Sequence, residues 1–460
     1  MSMINLAAAA SMLKAELLGA DAPFNAVSTD SRSIAAGDLF VALRGEHFDG
    51  HQFIAQAKAA GAAGALVDAN ALDALAVHGL PLIVVSDTRL ALGELAAGWR
   101  ARFSLPLIAV TGSNGKTTTK EMIAAILAAV HGDEVLATHG NFNNDIGLPL
   151  TLLKLRGHHR AAIIEMGMNH PGEIGYLTGI ARPTVALVTN AQRAHLEGMG
   201  SLDAIAEEKG TIYGGLGDSG VAVVNADDAH ADLWKKMNAG RHVVSFGLAP
   251  DADVRGKVRL HGLETELQFS CAAGEAAVDL ALPGLHNARN ALAAVAAAVA
   301  AEIPLTAIVS GLAAFRGIKG RLQRRNGING AIILDDTYNA NPDSMRAGID
   351  VLGSTIGRKV MVLGDMGEIG DASAQLHDEI GGYAKSAGVD SLYALGDASA
   401  VAVRNFGAGA QHYKKIEDLI EALRPELSTN TTVLVKGSRF MRMERVADAI
   451  SLPAPTTENK

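Results

Sequence analysis

Lys116 stands between Gly115 and Thr117 in the stretch IAVTGSNGKTTTKEM, residues 108–122. These residue types at this spacing suit one task, holding a phosphate anion. Gly112 and Gly115 let backbone amides approach phosphate oxygens, and the N-terminus of the following helix favours negative charge. Lys116 supplies a point charge and Thr117 a hydroxyl for Mg²⁺, with Ser113, Asn114 and Thr118 completing the cradle. The general phosphate-loop spacing asks for a Gly five residues before Gly115, where Val110 stands. The match is therefore to a shorter variant, Thr-Gly-x-x-Gly-Lys-Thr. A Gly-rich turn with no ligand is the alternative, and a strand before and a helix after weigh against it.

In parallel sheets, ligand chemistry gathers at the carboxyl ends of strands. AAIIEMG ends such a run with Glu165, placed to hold Mg²⁺ opposite the cradle or, alternatively, to pair with a neighbouring Arg. TVALVTNAQRAHLE puts His195 shortly after another strand end, where a lone His serves structure or ligand equally well. Lys209, in SLDAIAEEKGTIY, falls on a predicted helix capped by Ser201; beside Glu207 and Glu208 it has the pattern of a solvated lysine.

The elements that must position these residues alternate between short β-type runs and Ala-rich helical stretches, the pattern of a mainly parallel α/β architecture. At 460 residues the expectation is three domains. Residues 1–100 form the first block, 101–315 the block around the cradle, and 316–460 the third. GWRARFSLP, residues 98–106, has the composition of a connection. Residues 248–281 alternate polar and apolar, as in a small antiparallel piece, and PGLHNARNALAAVAAAVAAE returns to a long helix.

A net charge of −9 argues against a broad nucleic-acid-binding face. One cysteine, Cys271, excludes an internal disulfide framework and a multi-Cys metal site. No apolar run reaches the about 18 residues of a membrane span, and MSMINLAAAASML lacks a basic leader. A soluble, cytoplasmic chain is the expectation, ordered except in its last residues, APTTENK.

Taken together, TGSNGKTTT, LPGLHNARNALAA, KGR at 319–321 and STDSRSIAAGDLFVALRGEHFDGHQF resemble the Mur ligases, the ATP-dependent amide-forming enzymes of peptidoglycan synthesis. The resemblance covers nearly the whole chain. It implies an N-terminal α/β uridine-nucleotide-binding domain, a central phosphate-loop ATPase-like domain with a mainly parallel sheet, and a C-terminal Rossmann-like α/β domain. GNFNNDIGLPLTLL, EMGMNHPGEI, AHLEGMGS, DDTYNANPDSM and LGDMGEIG are similar to the member that adds D-alanyl-D-alanine to UDP-N-acetylmuramoyl-tripeptide. The sister that adds the third residue carries Asp-Asn-Pro-Arg, whereas here Asp343 follows the Pro.

The resemblance implies roles residue by residue. Lys116 serves catalysis, Thr117, Glu165 and His195 hold Mg²⁺, and Lys209 joins them if carbamylated. Asn287 and Asn290 match contacts to the adenine side of ATP. Arg321 and Asp336 match C-terminal residues that reach phosphates and ribose. Ser31, Arg32, Gly45, Asp49 and His51 are the candidates for the UDP-sugar. Tyr338, Asn339 and Asn341 form a polar cluster after a strand, and Lys436 and Arg439 follow another; a solvated loop is the alternative for that basic pair. A monomer is expected. Rival readings are a sister ligase adding one amino acid and a nucleotide-binding protein without catalysis. A GTPase switch is disfavoured, because NADD at 225–228 lacks the Lys of Asn-Lys-x-Asp and no Asp-x-x-Gly precedes it.

Overall fold

The computed structural model describes residues 2–72 and 79–453; APTTENK lies outside them. Among the described residues three main sheets hold five, nine and six strands. The first has the order Glu16–Leu18, Leu82–Val85, Gly64–Asp68, Leu39–Val41, Val27–Ser28, parallel except at Glu16–Leu18. Helix Thr88–Arg100 leaves this sheet for the next. It runs on through Trp99 and Arg100, so the connection expected from residue 98 begins only at Ala101. Both side chains are buried, and Arg100 Nε donates to Ala181 O at 3.1 Å, which binds the helix end to the central domain.

The nine-stranded sheet begins with strands rich in Val, Ile and Ala, buried on both faces as parallel strands covered by helices must be. Its order is Val135–Ala137, Ala161–Glu165, Leu107–Thr111, Val185–Val188, Val221–Asn225, His242–Gly247. The chain enters at Leu107–Thr111, turns first to one side and later to the other. That reversal opens a crevice at the carboxyl end of the entry strand. Strands Val254–His261, Glu264–Cys271 and Gly274–Leu280 complete the sheet as antiparallel pairs, the arrangement expected from their alternation.

Helix Lys116–His131 follows the entry strand and turns Met122, Ile123, Ile126 and Leu127 inward. Against it lies helix Leu285–Ala300, whose alanines are buried from Ala291 to Ala298. Small side chains let this helix approach its neighbours closely, so a segment with little apolar bulk serves as a core element.

The third sheet orders Gln323–Asn326, Ile332–Asp336, Thr431–Lys436, Arg358–Gly364, Ser391–Leu395 and Ala410–Tyr413. Only the first strand is antiparallel. Helix Pro342–Gly353 starts after Ile332–Asp336 with Asn341 as cap and Pro342 in its first turn. Three α/β units, each with a mainly parallel sheet, are the architecture anticipated from the alternation of elements.

Candidate active site

The cradle is set by strand register. Val110 belongs to the strand Leu107–Thr111, opposite Glu165 on one side and Leu187 on the other. The loop opens only after Thr111, so no glycine is required at 110. Gly112 and Gly115 have φ of +150° and +80°, and a Cβ would stand 1.8 Å from Thr189 Oγ1 or 2.1 Å from Asn290 Oδ1. No other residue fits either position. Lys116 Nζ donates to Gly112 O at 2.6 Å. Burial lowers its pKa from the ordinary lysine value, while the charge of Glu165 opposes that shift.

Glu165 is buried at the end of its strand. Its Oε1 accepts from Asn143 Nδ2 at 2.8 Å and from the Thr117 hydroxyl at 3.3 Å. Neither partner is an arginine, which removes the ion-pair alternative. Oε2 is buried and has no hydrogen-bond partner among the described residues. A buried carboxylate oxygen left without a donor, beside a hydroxyl of the phosphate loop, fits a divalent cation. Among the described residues no group of three or more His, Cys, Asp and Glu could hold a metal alone. The protein thus offers a partial donor set, which suits Mg²⁺ sharing its shell with phosphate and water.

His195 takes a left-handed backbone, φ 59°, and its Nδ1 lies 2.9 Å from Glu368 Oε2. That contact, first among its causes, holds the Glu368 carboxyl below its ordinary pKa. Lys209 lies in the last turn of the helix Leu202–Gly210, whose cap Ser201 accepts from Ala204 N at 3.1 Å. Its side chain is 1% exposed, so the solvated lysine expected from its neighbours is overturned. Glu208 does not pair with it, because Oε2 accepts from Gly172 N and Oε1 from Ile174 N, both at 2.8 Å. Burial first, then the charge of Lys116, pushes the Lys209 pKa well below the usual lysine range. The shift favours the uncharged amine over the ammonium, and only the uncharged amine is nucleophilic.

The third sheet closes over the loop. Arg321 donates to Thr117 Oγ1 at 2.9 Å and lies over the Tyr338 ring. Asn114 and Asn341 exchange amide hydrogen bonds of 3.3 and 2.8 Å. Asp336 pairs at 2.6 Å with Lys436, which also donates to Asn339 O at 3.0 Å. Lys436 is buried and not part of a solvated loop, whereas Arg439 is exposed and pairs with Glu444. Asn287 and Asn290 are buried on one helix turn, Asn287 Nδ2 donating to Pro283 O and Asn290 Nδ2 to Asn287 Oδ1. A cavity of about 690 Å³ results, walled by Ser113–Thr118, Glu165, His195, Asn287, Asn290, Arg321 and Asp336 among others; Lys209 does not line it.

The five residues proposed for the UDP-sugar lie apart from that cavity. Arg32 is exposed and forms a two-bond pair with Asp30; Ser31 Oγ donates to Gln56 Oε1 at 3.2 Å. Gly45 and Asp49 belong to the short hairpin of Arg44–Gly45 and Phe48–Asp49. His51 is buried under it, Nδ1 at 2.6 Å from Asp49 and Nε2 accepting from Asp68 N at 2.9 Å. With both ring nitrogens engaged, His51 supports the hairpin and has none left for a ligand.

Comparison with known proteins converges on one family. Residues 23–100 match the profile "Mur ligase family, catalytic domain", 110–298 "Mur ligase middle domain", and 320–439 "Mur ligase, glutamate ligase domain". The chain is 42% identical over 456 residues to the UDP-N-acetylmuramoyl-tripeptide–D-alanyl-D-alanine ligase of Escherichia coli, covering 98% of this chain and 99% of that one. The chain belongs to the Mur ligase family. Its Bacillus subtilis counterpart of the same name is 35% identical, covering 93% of each chain. A crystal structure of MurF from Acinetobacter baumannii superposes with a TM-score of 0.89 at 37% identity, covering 96% of this chain and 97% of that one. MurF from Thermotoga maritima in complex with ADP gives 0.80 at 28%, covering 92% and 96%.

Among Mur ligase residues that the sequence did not single out, Asn143 and Glu368 lay inside quoted motifs but carried no signal of their partners. Arg193 carried none at all. Its backbone N–H and guanidinium bind Asp343 across 150 residues of sequence, at 2.8 Å and at 2.7 and 3.1 Å, and it pairs with Glu379 at 3.2 Å. This ion pair, partly buried, ties the central domain to the first turn of helix Pro342–Gly353. Arg193→Glu should therefore loosen the two domains and raise the radius of gyration in solution scattering. Adding Asp343→Arg should reverse at least half of that rise, through a coupling of about 1–3 kcal/mol. A double variant as extended as the single one would refute the clamp.

Proposed function

We propose that this chain joins D-alanyl-D-alanine to UDP-N-acetylmuramoyl-tripeptide at the expense of ATP, in the cytoplasm. The observation that carries the reading is the convergence of Lys116, Thr117, Glu165 and Arg321 on one cavity, in a chain alike end to end to ligases of that name. Joining a carboxylate to an amine in water is uphill, and the carboxylate must first be activated. An oxygen of the tripeptide's terminal carboxylate attacks the γ-phosphorus of ATP, the bond to the bridging oxygen breaks, and ADP leaves. The free amine of the dipeptide then attacks the acyl phosphate carbon. A proton is lost from nitrogen, and the tetrahedral adduct expels inorganic phosphate.

The chain's own groups supply position and charge, not covalent chemistry. Lys116 and the loop amides face the phosphates. Arg321, held by Thr117 and Tyr338, brings a second cation from the closing domain. Glu165 Oε2 and the Thr117 hydroxyl would hold Mg²⁺, whose positive charge would offset that of the phosphates. His195 would join through its second ring nitrogen, Nδ1 being occupied by Glu368. In its uncharged form the Lys209 amine can add to CO₂ with loss of a proton, giving a carbamate that carries negative charge in place of the ammonium. Domain closure through Asn341 and Asp343 excludes the water that would hydrolyse the acyl phosphate.

Release of phosphate from ATP is expected only when UDP-N-acetylmuramoyl-tripeptide and D-alanyl-D-alanine are both present. Lys116→Ala should reduce it by roughly two orders of magnitude or more. Release with a single amino acid in place of the dipeptide would move the reading to a sister ligase, and undiminished turnover in Lys116→Ala would sink the mechanism. For Lys209, ¹³C NMR with labelled bicarbonate should show a carbamate resonance that Lys209→Arg lacks; identical spectra would contradict the modification.

A further inference from the structure

A second cleft, of about 380 Å³, opens between helix Thr88–Arg100 and helix Glu173–Ala181. It shares Arg89, Asn144, Asp145, Gly167 and Glu173 with the reaction cavity, so the two are continuous. Asn144 follows Asn143 in sequence and Gly167 N donates to Asn143 O at 2.8 Å, which puts the junction close to the group that holds Glu165. Its walls are apolar, formed by Leu90, the Tyr176 ring and Leu177, while its rim carries three carboxylates, Asp87, Asp145 and Glu173, against the single guanidinium of Arg89.

The rim charges are only partly satisfied within the protein. Arg89 pairs with Asp145, its second bond 2.9 Å long. Glu173 Oε2 accepts from Asn169 N and His170 N, and its Oε1 lies 3.4 Å from His170 Nδ1. Asp87 Oδ1 accepts from Arg89 N and Leu90 N, and its Oδ2 has no donor among the described residues. Burial, and after it the charges of Asp145, Glu94 and Asp87, raises the pKa of Tyr176, the sign expected of a negative local field. An apolar wall leading to an acidic rim matches an aliphatic stem that ends in a cation.

We infer that this cleft takes the side chain of the third residue of the tripeptide, a methylene stem ending in an ammonium group. The inference rests on the function proposed above. The third residue bears the carboxylate to be phosphorylated, so its side chain must leave the reaction cavity beside that carboxylate, where the cleft begins. Helix Thr88–Arg100, which forms one wall, is also the element joining the nucleotide-binding domain to the central one. A substrate stretched between those two domains therefore passes along it. Lysine and 2,6-diaminopimelate share the required stem and ammonium; the second adds a carboxylate, for which Arg89 offers Nη1, the guanidinium nitrogen not engaged by Asp145.

The test compares UDP-N-acetylmuramoyl-tripeptides with lysine, 2,6-diaminopimelate or norleucine in third position, by dipeptide-dependent phosphate release. In the wild-type chain norleucine should raise KM about tenfold with little change in kcat. The isosteric triple variant Asp87→Asn, Asp145→Asn, Glu173→Gln should shrink that penalty below about threefold. Affinity for ADP, unchanged in the variant, shows that it is folded. A diaminopimelate preference that Arg89→Met abolishes assigns the natural side chain to that residue, and equal KM values assign recognition to the ammonium alone. An equal norleucine penalty in wild type and variant, or none in wild type, overturns the inference while leaving the ligase reading intact. No dipeptide-dependent release with any of the three substrates would instead overturn that reading, and the inference with it.

Discussion

Two anions must meet in this site, a peptide carboxylate and a triphosphate, and their repulsion is the constraint around which the molecule is organised. At 4 Å two unit charges interact by about 1 kcal/mol in water, and several times more where water is excluded. A site dry enough to protect an acyl phosphate therefore strengthens the repulsion it has to overcome. The structure meets this with cations and dipoles fixed in advance. Lys116 and the amide-rich loop sit on the central sheet, Arg321 comes from the third domain, and Glu165 Oε2 has no hydrogen-bond partner among the described residues.

Thr117 is where these devices join. Its hydroxyl donates to Glu165 and accepts from Arg321, linking the loop, the neighbouring strand and the closing domain through one side chain. Around it, Asn341 meets Asn114, and Asp343 meets Arg193. Both third-domain residues lie at the start of helix Pro342–Gly353, so a single helix turn reads the position of two loops of the central sheet. The charge of Asp343, the residue after the proline, serves the contact between domains.

The sequence was most legible where local pattern and chemistry coincide. A Gly-rich turn between an apolar strand and a helix declares a phosphate site, and Val110 proved to be a strand residue and not a missing loop glycine. The alternation over residues 248–281, which the strands of 254–280 bear out, and the Ala-rich helix were equally visible. What stayed hidden depends on residues far apart in the chain. Lys209 looked solvated because Glu207 and Glu208 flank it. Glu208 instead turns its oxygens to the amides of Gly172 and Ile174, and the lysine is buried with no ion pair among the described residues. The partnership of His195 with Glu368 and the clamp of Arg193 on Asp343 likewise arise only when the third sheet meets the second. Among the UDP candidates, His51 was attractive as a polar loop residue, yet folding engages one nitrogen with Asp49 of the hairpin and the other with Asp68 N at a strand end.

The central claim is that phosphate serves as a temporary leaving group on the peptide carboxylate, and oxygen isotope transfer tests it most directly. UDP-N-acetylmuramoyl-tripeptide labelled with ¹⁸O in its terminal carboxylate is incubated with ATP and D-alanyl-D-alanine, and the released phosphate is analysed by mass spectrometry. The account predicts one carboxylate-derived ¹⁸O in each phosphate formed. Phosphate free of the label, with peptide bonds still being made, would contradict it.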